Sequence, residues 1–327
     1  MEEKTKSILK TAGIVAGTVT AACTATVFTA KKLLDIAMNK DGVKPTAGSA
    51  KVRNKLCGFT NEDGFIDELE SAGLKLKEVE TEEVSITGED GTKLTGHLYT
   101  CEYPKRLIIA VHGWRSTWNR DFGLAADFWF ENNCNVLFVE QRCQGKSEGE
   151  YIGFGLLERY DCRDWANWAH ERYEGKLPIY LDGISMGATT VLMASGLKLP
   201  DSVKGIIADS GFTSPRGIWK HVTEHHMHLK YGPISGLADA ICRQKINVGA
   251  EDYSTVEALK ENNIPVLFVH GTDDPFVPVE MTYENYLACK APKRLVIVPG
   301  AVHGLSFYVE KERCAEEIRR FWSENDG

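Results

Sequence analysis

A doubly wound α/β fold, with a mostly parallel sheet, an antiparallel edge hairpin and a helical cap inserted before the last two strands, is what this sequence predicts. Three observations predict it. Short β-rich runs recur after residue 83, helical stretches alternate with them, and one connection is far longer than the others. Unbroken apolar runs suit strands buried on both faces, the condition inside a parallel sheet covered by helices. Strand–helix alternation with right-handed crossovers builds such a sheet.

Taken in order, the elements start with a hydrophobic N-terminal segment, residues 1–35. Its stretch Thr11–Ala30 carries no charge and is bracketed by Lys10 and Lys31-Lys32. As a helix it would be just long enough to cross a bilayer core. Its Thr- and Ala-rich content makes insertion marginal, and lysines on both sides leave orientation open. The expectation is a membrane anchor through residues 11–30, or otherwise a cytoplasmic protein. Residues 36–82 are polar and read as a linker with a short helix around Phe65–Glu70.

Residues 83–327 read as one α/β domain. Val84–Thr87 and Leu94–Tyr99 flank Glu89-Asp90-Gly91, the pattern of an antiparallel hairpin. Strands follow at Leu107–Val111, Val136–Val139, Ile179–Leu181, Val203–Ala208, Val266–Val269 and Leu295–Val298. Helices are expected at Asn119–Asn132, Arg159–Tyr173, Met186–Leu199, Glu280–Ala291 and Lys311–Asn325. The long connection, after Ser210 and before Ile264, is read as the cap, over about residues 213–260. Long loops inside compact domains are usually functional.

Composition narrows the function. With 43% apolar and 26% charged residues the 327-residue chain is an ordinary globular protein. Its net charge of −8 excludes a nucleic-acid binder, which needs a basic face. Nine scattered cysteines contain no CxxC pair, so they read as reduced thiols rather than as a zinc site.

The chemistry is carried by Gly183-Ile184-Ser185-Met186-Gly187, which matches GxSxG directly after a β-run and directly before an apolar helix. A strand-to-helix turn exposes the serine oxygen and aims the free N–H groups of a helix start at a developing oxyanion. The serine needs a base and an orienting carboxylate, expected later in the chain, in the order acid then base. His303 is the sole histidine beyond the last strand and is assigned as base. Asp273 and Asp274 both lie just past the preceding strand, with Asp209 a further candidate. Spacing does not separate them. The oxyanion donors are expected to be the backbone N–H groups of Met186 and Trp114, the latter in the loop His112-Gly113-Trp114-Arg115. His112 is expected to hydrogen-bond that loop.

These residues together resemble the α/β-hydrolase superfamily, in particular bacterial serine aminopeptidase-like and lysophospholipase-like hydrolases. The likeness runs over about residues 83–324. It rests on His112-Gly113-Trp114, Gln141-Arg142 with Gly145-Lys146-Ser147, Gly183–Gly187, His270-Gly271 with Asp274 and Val277-Pro278, and Pro299-Gly300-Ala301 with His303. The family's His-Gly-x-x-Asp-x-x-Val-Pro pattern implies Asp274 as the acid. An N-terminal hydrophobic anchor is common among its members. Glu140, Cys143 and Gln144 depart from the residues usual there.

The expected activity is cleavage of a carboxylic ester on a small acyl substrate through an acyl-enzyme, with no metal or organic cofactor. Amides or peptides, lysophospholipids and thioesters are the alternatives within the same chemistry. A non-catalytic binder of this fold is a further class. A third is a metalloenzyme built on His221, His225 and His228 of the cap, whose spacing can ligate a metal but lacks the HExxH order. Oligomeric state has no signature in the sequence.

Overall fold

The computed structural model describes residues 27–43, 46–59 and 65–326. Eight strands form one sheet: β1 (Glu82–Thr87), β2 (Lys93–Tyr99), β3 (Arg106–Val111), β4 (Cys134–Glu140), β5 (Ile179–Ile184), β6 (Val203–Asp209), β7 (Val266–Gly271) and β8 (Lys293–Val298). Their order across the sheet is β1-β2-β4-β3-β5-β6-β7-β8. The pairs β1–β2 and β2–β4 are antiparallel, and all others are parallel. The doubly wound sheet with an antiparallel edge is therefore present.

Central strands are buried along nearly their whole length because helices cover both faces. In β3 every residue is buried. Leu107, Ile109 and Val111 enter one core with Trp165, Val191 and Leu259, while Ile108 and Ala110 enter the other with Trp118, Phe122, Phe321 and Trp322. The two-residue period of a strand divides one sequence run between two cores. Helices Glu158–Arg172, Met186–Ala194 and Val279–Ala288 lie on the first face, and Lys311–Asn325 on the second. The helix read as Asn119–Asn132 is instead two short ones, Trp118–Phe122 and Ala126–Glu131, with Gly123 between them.

The chain between β6 and β7 is helical: Pro215–His221, a π-helical turn Val222–His226, Gly232–Ile246 and Thr255–Glu261. Ser214 caps the first helix, with Pro215 at its first turn, and Ser254 caps the last. The last helix does not belong with the others. Its Leu259 and Ala258 are buried, and Leu259 sits in the sheet core beside Val191, so the cap proper ends near Ile246.

The stretch read as a linker needs the larger correction. It carries two helices, Ala47–Leu56, which the linker reading does not anticipate, and Phe65–Lys77, which contains the short helix expected around Phe65–Glu70 and runs beyond it. Phe65, Leu69, Gly73 and Leu76 form one buried face of the second, which docks where Asn119 Nδ2 donates to the Gly73 carbonyl at 2.9 Å. An apolar stripe at helical spacing gives these residues a reason to pack rather than to link.

Of the anchor stretch 11–30, residues 11–26 lie outside the described residues. Residues 27–38 are helical, and Ala30, Leu34 and Met38, one turn apart, are buried against Phe154, Trp219 and the cap. No helix among the described residues is long and apolar enough to cross a membrane. The eight described cysteines are all free.

Candidate active site

Strand register brings the site together. Ile184 of β5 pairs with Asp209 of β6, and the next N–H, from Ser185, donates to the Asp209 carbonyl at 2.8 Å. Ser185 thus leaves the sheet with φ 58° and ψ −118°, immediately before the helix Met186–Ala194. A non-glycine residue held there stores about 1–3 kcal/mol, which persists only where the surroundings over-determine it. They do so here. A Cβ on Gly187 would lie 1.8 Å from the Val111 carbonyl oxygen, so the helix can approach β3 this closely only through glycine. Met186 opens the helix, and the first N–H groups of a helix have no partner within it.

The β7 and β8 ends are laced together. Thr272 N–H donates to the Val298 carbonyl at 3.0 Å, Asp273 N–H to the Ala301 carbonyl at 3.0 Å, and Gly300 N–H to Thr272 Oγ1 at 2.9 Å. Asp274 and His303 therefore face each other: His303 Nδ1–H donates to Asp274 Oδ2 at 2.7 Å. Asp274 Oδ1 accepts the Phe276 and Val277 N–H groups at 2.9 Å each, and its other oxygen lies 3.2 Å from His270 Nε2. Nε2 of His270 also meets the Val277 carbonyl at 2.9 Å, so it carries the proton, and Nδ1 accepts from the Thr282 hydroxyl at 2.6 Å.

The electrostatics follow from this geometry. Burial alone would raise the Asp274 carboxyl, but the His303 charge and the hydrogen bonds from His270 and His303 hold it well below the usual carboxylate range. Burial alone would lower His303, but the charge and hydrogen bond of Asp274 leave it above its ordinary value. The neighbouring Asp273 is exposed and accepts from the Thr272 hydroxyl at 2.7 Å. Asp209 accepts from the Ser210 and Ser306 hydroxyls at 2.9 and 3.1 Å, bracing the His303 loop from below.

Ser185 and His303 line one cavity, together with Gly113, Trp114, Ile184, Phe276 and Leu305. Among the described residues no hydrogen bond joins them; such bonds are often long without substrate and tighten when it binds. Trp114 lines the same cavity, while its indole N–H donates to the Ala37 carbonyl at 2.9 Å. Arg115, at φ 50°, donates to the Ile36, Asn39 and Lys40 carbonyls, capping the helix 27–38. His112 bonds its own loop: Nε2 accepts from Gln141 N–H at 3.3 Å, so Nδ1–H donates to the Gly113 carbonyl at 2.8 Å, and burial holds the ring below its ordinary basicity.

The cap contributes no lining residue to this cavity. The facing wall comes from Arg53, Leu56, Cys57, Phe59 and Leu69 of the N-terminal helices and their connection, with Arg120, Asp121 and Ser116 beside them. Gly58, at φ 77°, passes so near that a Cβ would stand 3.0 Å from Pro275. Cys57 is no rival nucleophile, since burial, then the Asp274 charge, push its thiol up to about 12. Asp121 accepts from Gly113 N–H at 2.8 Å and from the Ser116 hydroxyl, fixing the loop that carries Trp114. Nothing in the motif spacing marks Asp121 or Arg53, and His270, although it opens the His-Gly-x-x-Asp stretch, carries no sign there of its bond to Asp274. The one available signal is the helical stripe Phe65, Leu69, Leu76, which shows that the preceding segment is packed.

The cap histidines His221, His225 and His226 meet through ring contacts and backbone bonds. His221 and His225 stack at 4.5 Å, and His221 and His226 both donate to the Pro275 carbonyl, at 3.2 and 2.8 Å. Among the described residues no group of three or more His, Cys, Asp or Glu is placed to hold a metal ion.

Comparison with known proteins agrees with this architecture. Residues 102–232 match the family described as serine aminopeptidase, S33, and residues 236–324 match that described as TAP-like protein. The chain is 26% identical over 187 residues to the uncharacterised protein YqkD of Bacillus subtilis, covering 57% of this chain and 61% of that one. It is 27% identical over 229 residues to the uncharacterised protein YfhR of Escherichia coli, covering 68% and 73%. Among solved structures, an esterase of Pyrococcus furiosus, Pf2001, superposes with a TM-score of 0.61 at 22% identity, over 78% of this chain and 94% of that one. The matched families, which together run over residues 102–324, the sheet order and the strained serine turn agree, and the chain belongs to the α/β-hydrolase superfamily.

Proposed function

We propose that the protein is a serine hydrolase that cleaves a carboxylic ester through an acyl-enzyme. The observation that carries this reading is the placement of Ser185 and His303 on one cavity, with His303 Nδ1–H given to Asp274. With Nδ1–H given to Asp274, the neutral ring keeps Nε2 without a proton and able to serve as base. Ser185 Oγ attacks the substrate carbonyl carbon while its proton passes to His303 Nε2. The N–H groups of Trp114 and Met186 receive the oxyanion. As the ester C–O bond breaks, His303 protonates the departing alcohol. It then takes a proton from water, which attacks the acyl carbon, and gives that proton to Ser185 Oγ as the acyl C–O bond breaks and the carboxylic acid leaves. Asp274 holds the tautomer and stabilises the imidazolium, and His270 and the Phe276 and Val277 N–H groups hold Asp274.

The name of the matched aminopeptidase family suggests an amide substrate with a free amino group. The cavity argues for the ester, because Arg53 and Arg120 line it and the carboxylate of Asp121 is already engaged. A cationic amine gains nothing there. The test is labelling with a fluorophosphonate probe and turnover of short-chain p-nitrophenyl esters by wild type and Ser185→Ala. Wild type is expected to label and turn over, and the variant to lose labelling and at least about 10⁴-fold in kcat. An unlabelled, inactive wild type, or a variant that keeps a tenth of the activity, overturns the reading.

A further inference from the structure

The wall opposite Ser185 carries charge that the reaction as described does not use. Arg53 and Arg120, from different parts of the chain, both line the cavity. Arg120 has Asp121 Oδ1 at 3.6 Å and donates to Asn54 Oδ1 at 3.4 Å, with its guanidinium 5.7 Å from the Phe59 ring. Arg53 has less. Its NH1 donates to the Arg115 carbonyl at 3.3 Å, and its buried Nε has no hydrogen-bond partner. No Asp or Glu among the described residues lies within ion-pair distance of it. Glu70, which acts on it only weakly, is exposed. Burial first, and then the charge of Arg120, depress its basicity.

A guanidinium in an apolar wall, with an orphaned N–H and a second guanidinium nearby, costs free energy unless an anion meets it. The surrounding side chains are Leu56, Cys57, Phe59 and Leu69, none of which can do so. The charge of Asp121 acts on Arg53, but its two oxygens are already engaged by the Gly113 N–H and the Ser116 hydroxyl, which fix the loop of Trp114, so Arg53 has no paired carboxylate.

We propose that the substrate carries an anionic oxygen group, a carboxylate or a phosphate, which Arg53 binds with Arg120 beside it while its ester carbonyl reaches Ser185. This rests on the serine-hydrolase reading and narrows it to anionic esters. A planar guanidinium gives N–H donors in a fixed fork to a carboxylate or phosphate, and Arg53, which lines the cavity, uses only Nη1 in a hydrogen bond among the described residues.

The experiment compares two ester pairs matched in acyl chain length. In the first, mono-p-nitrophenyl succinate places a carboxylate on the acyl side, with p-nitrophenyl butyrate as its uncharged counterpart. In the second, butyrylglycerol phosphate places a phosphate on the alcohol side, with butyrylglycerol as counterpart. At least one anionic member is expected to exceed its counterpart in kcat/KM by about tenfold to a hundredfold, the scale of a charge-assisted contact. That preference is expected to shrink as ionic strength rises. Which pair shows it tells where the anion sits.

Arg53→Gln keeps a donor for the Arg115 carbonyl and removes the charge, whereas Arg53→Lys keeps the charge. The anionic-to-neutral ratio is expected to fall about tenfold in the first and to survive in large part in the second. Equal losses in both variants would make Arg53 a mere brace of the Arg115 loop and overturn the proposal. So would a wild type that labels with fluorophosphonate yet shows no charge preference in either pair. The salt dependence of the wild type decides the matter even if Arg53→Gln fails to fold. Protein that neither labels nor cleaves any of the four esters overturns the hydrolase reading, and the anionic subsite with it.

Discussion

The cavity has two walls of different construction. The floor, with Ser185, Asp274 and His303, is made of strand ends whose loops are tied to each other through backbone hydrogen bonds. The facing wall, with Arg53, Phe59 and Leu69, is made of two helices laid on from the N-terminal side. It is held by a small cluster of Phe65, Leu69 and Leu305, by Leu76 in the second core of the sheet, by the bond of Asn119 to the Gly73 carbonyl and by that of Arg53 to the Arg115 carbonyl. In the floor, backbone sterics leave one solution, as at Gly187, where any side chain would strike β3. In the facing wall a few side-chain contacts select a position, and different side chains would select another. On the proposed function, the difference separates chemistry from choice of substrate: the floor would carry acyl transfer, and the laid-on wall would select what reaches it.

If the floor works as a unit, breaking it produces the largest effects. Asp274→Asn should lower kcat by about 10³- to 10⁴-fold, because an amide cannot hold the Nδ1–H tautomer of His303 or stabilise its imidazolium. Folding should be little affected, since Asn can still accept the Phe276 and Val277 N–H groups that now bind Oδ1. Steady-state kinetics beside circular dichroism check both halves. A loss below about tenfold would mean that another carboxylate, Asp209 being the near one, serves His303.

The pH profile sharpens the same point. His303 must be unprotonated to take the proton of Ser185, and Asp274 holds it above its ordinary value against the opposing pull of burial. In wild type kcat/KM should therefore fall about tenfold per pH unit on the acid side, with a midpoint above about 6.5. In Asp274→Asn the favourable charge is gone and the burial penalty remains, so the residual activity should have its midpoint at lower pH. A midpoint that stays put would show that Asp274 does not set the basicity of His303.

The two walls also differ in how legible they are. GxSxG, the chain order of acid and base, and the strand ends that carry them follow from rules about backbone, and those rules are local in sequence. Asp274 could not be told from Asp273 by spacing because the two differ by one peptide. What separates them in the fold is contact: Asp274 turns inward to four donors, and Asp273 stays in solvent beside Thr272. The N-terminal wall was illegible for a different reason. Ala47–Leu56 has no strong apolar stripe, and its polar residues make it read as linker. Its place is set by what it meets, Gly58 against Pro275 and Arg53 against the Arg115 carbonyl. The cap misleads in the opposite sense. Its length marks it as functional, yet it reaches the cavity at second hand, through the bonds of His221 and His226 to the Pro275 carbonyl next to Asp274 and through its packing against Trp114 and Phe276.

Leu69→Ala tests whether the walls are separable. Leu69 is 4% exposed and belongs to the small cluster with Phe65 and Leu305, not to either core of the sheet. Truncating a buried leucine costs about 2–5 kcal/mol, the lower end where the site can collapse. Because the cluster is a satellite, that cost should be met by local opening of residues 47–77 rather than by the whole fold. Amide hydrogen exchange should therefore quicken across these two helices and leave β3, β5 and β7 as protected as before. In kinetics the change should appear as a several-fold higher KM with kcat nearly kept, since the floor retains its geometry while the wall that holds the substrate loosens. If kcat falls as steeply as KM rises, or if the central strands lose protection together with the helices, the N-terminal wall is part of the catalytic framework, and the division drawn between the two walls is wrong.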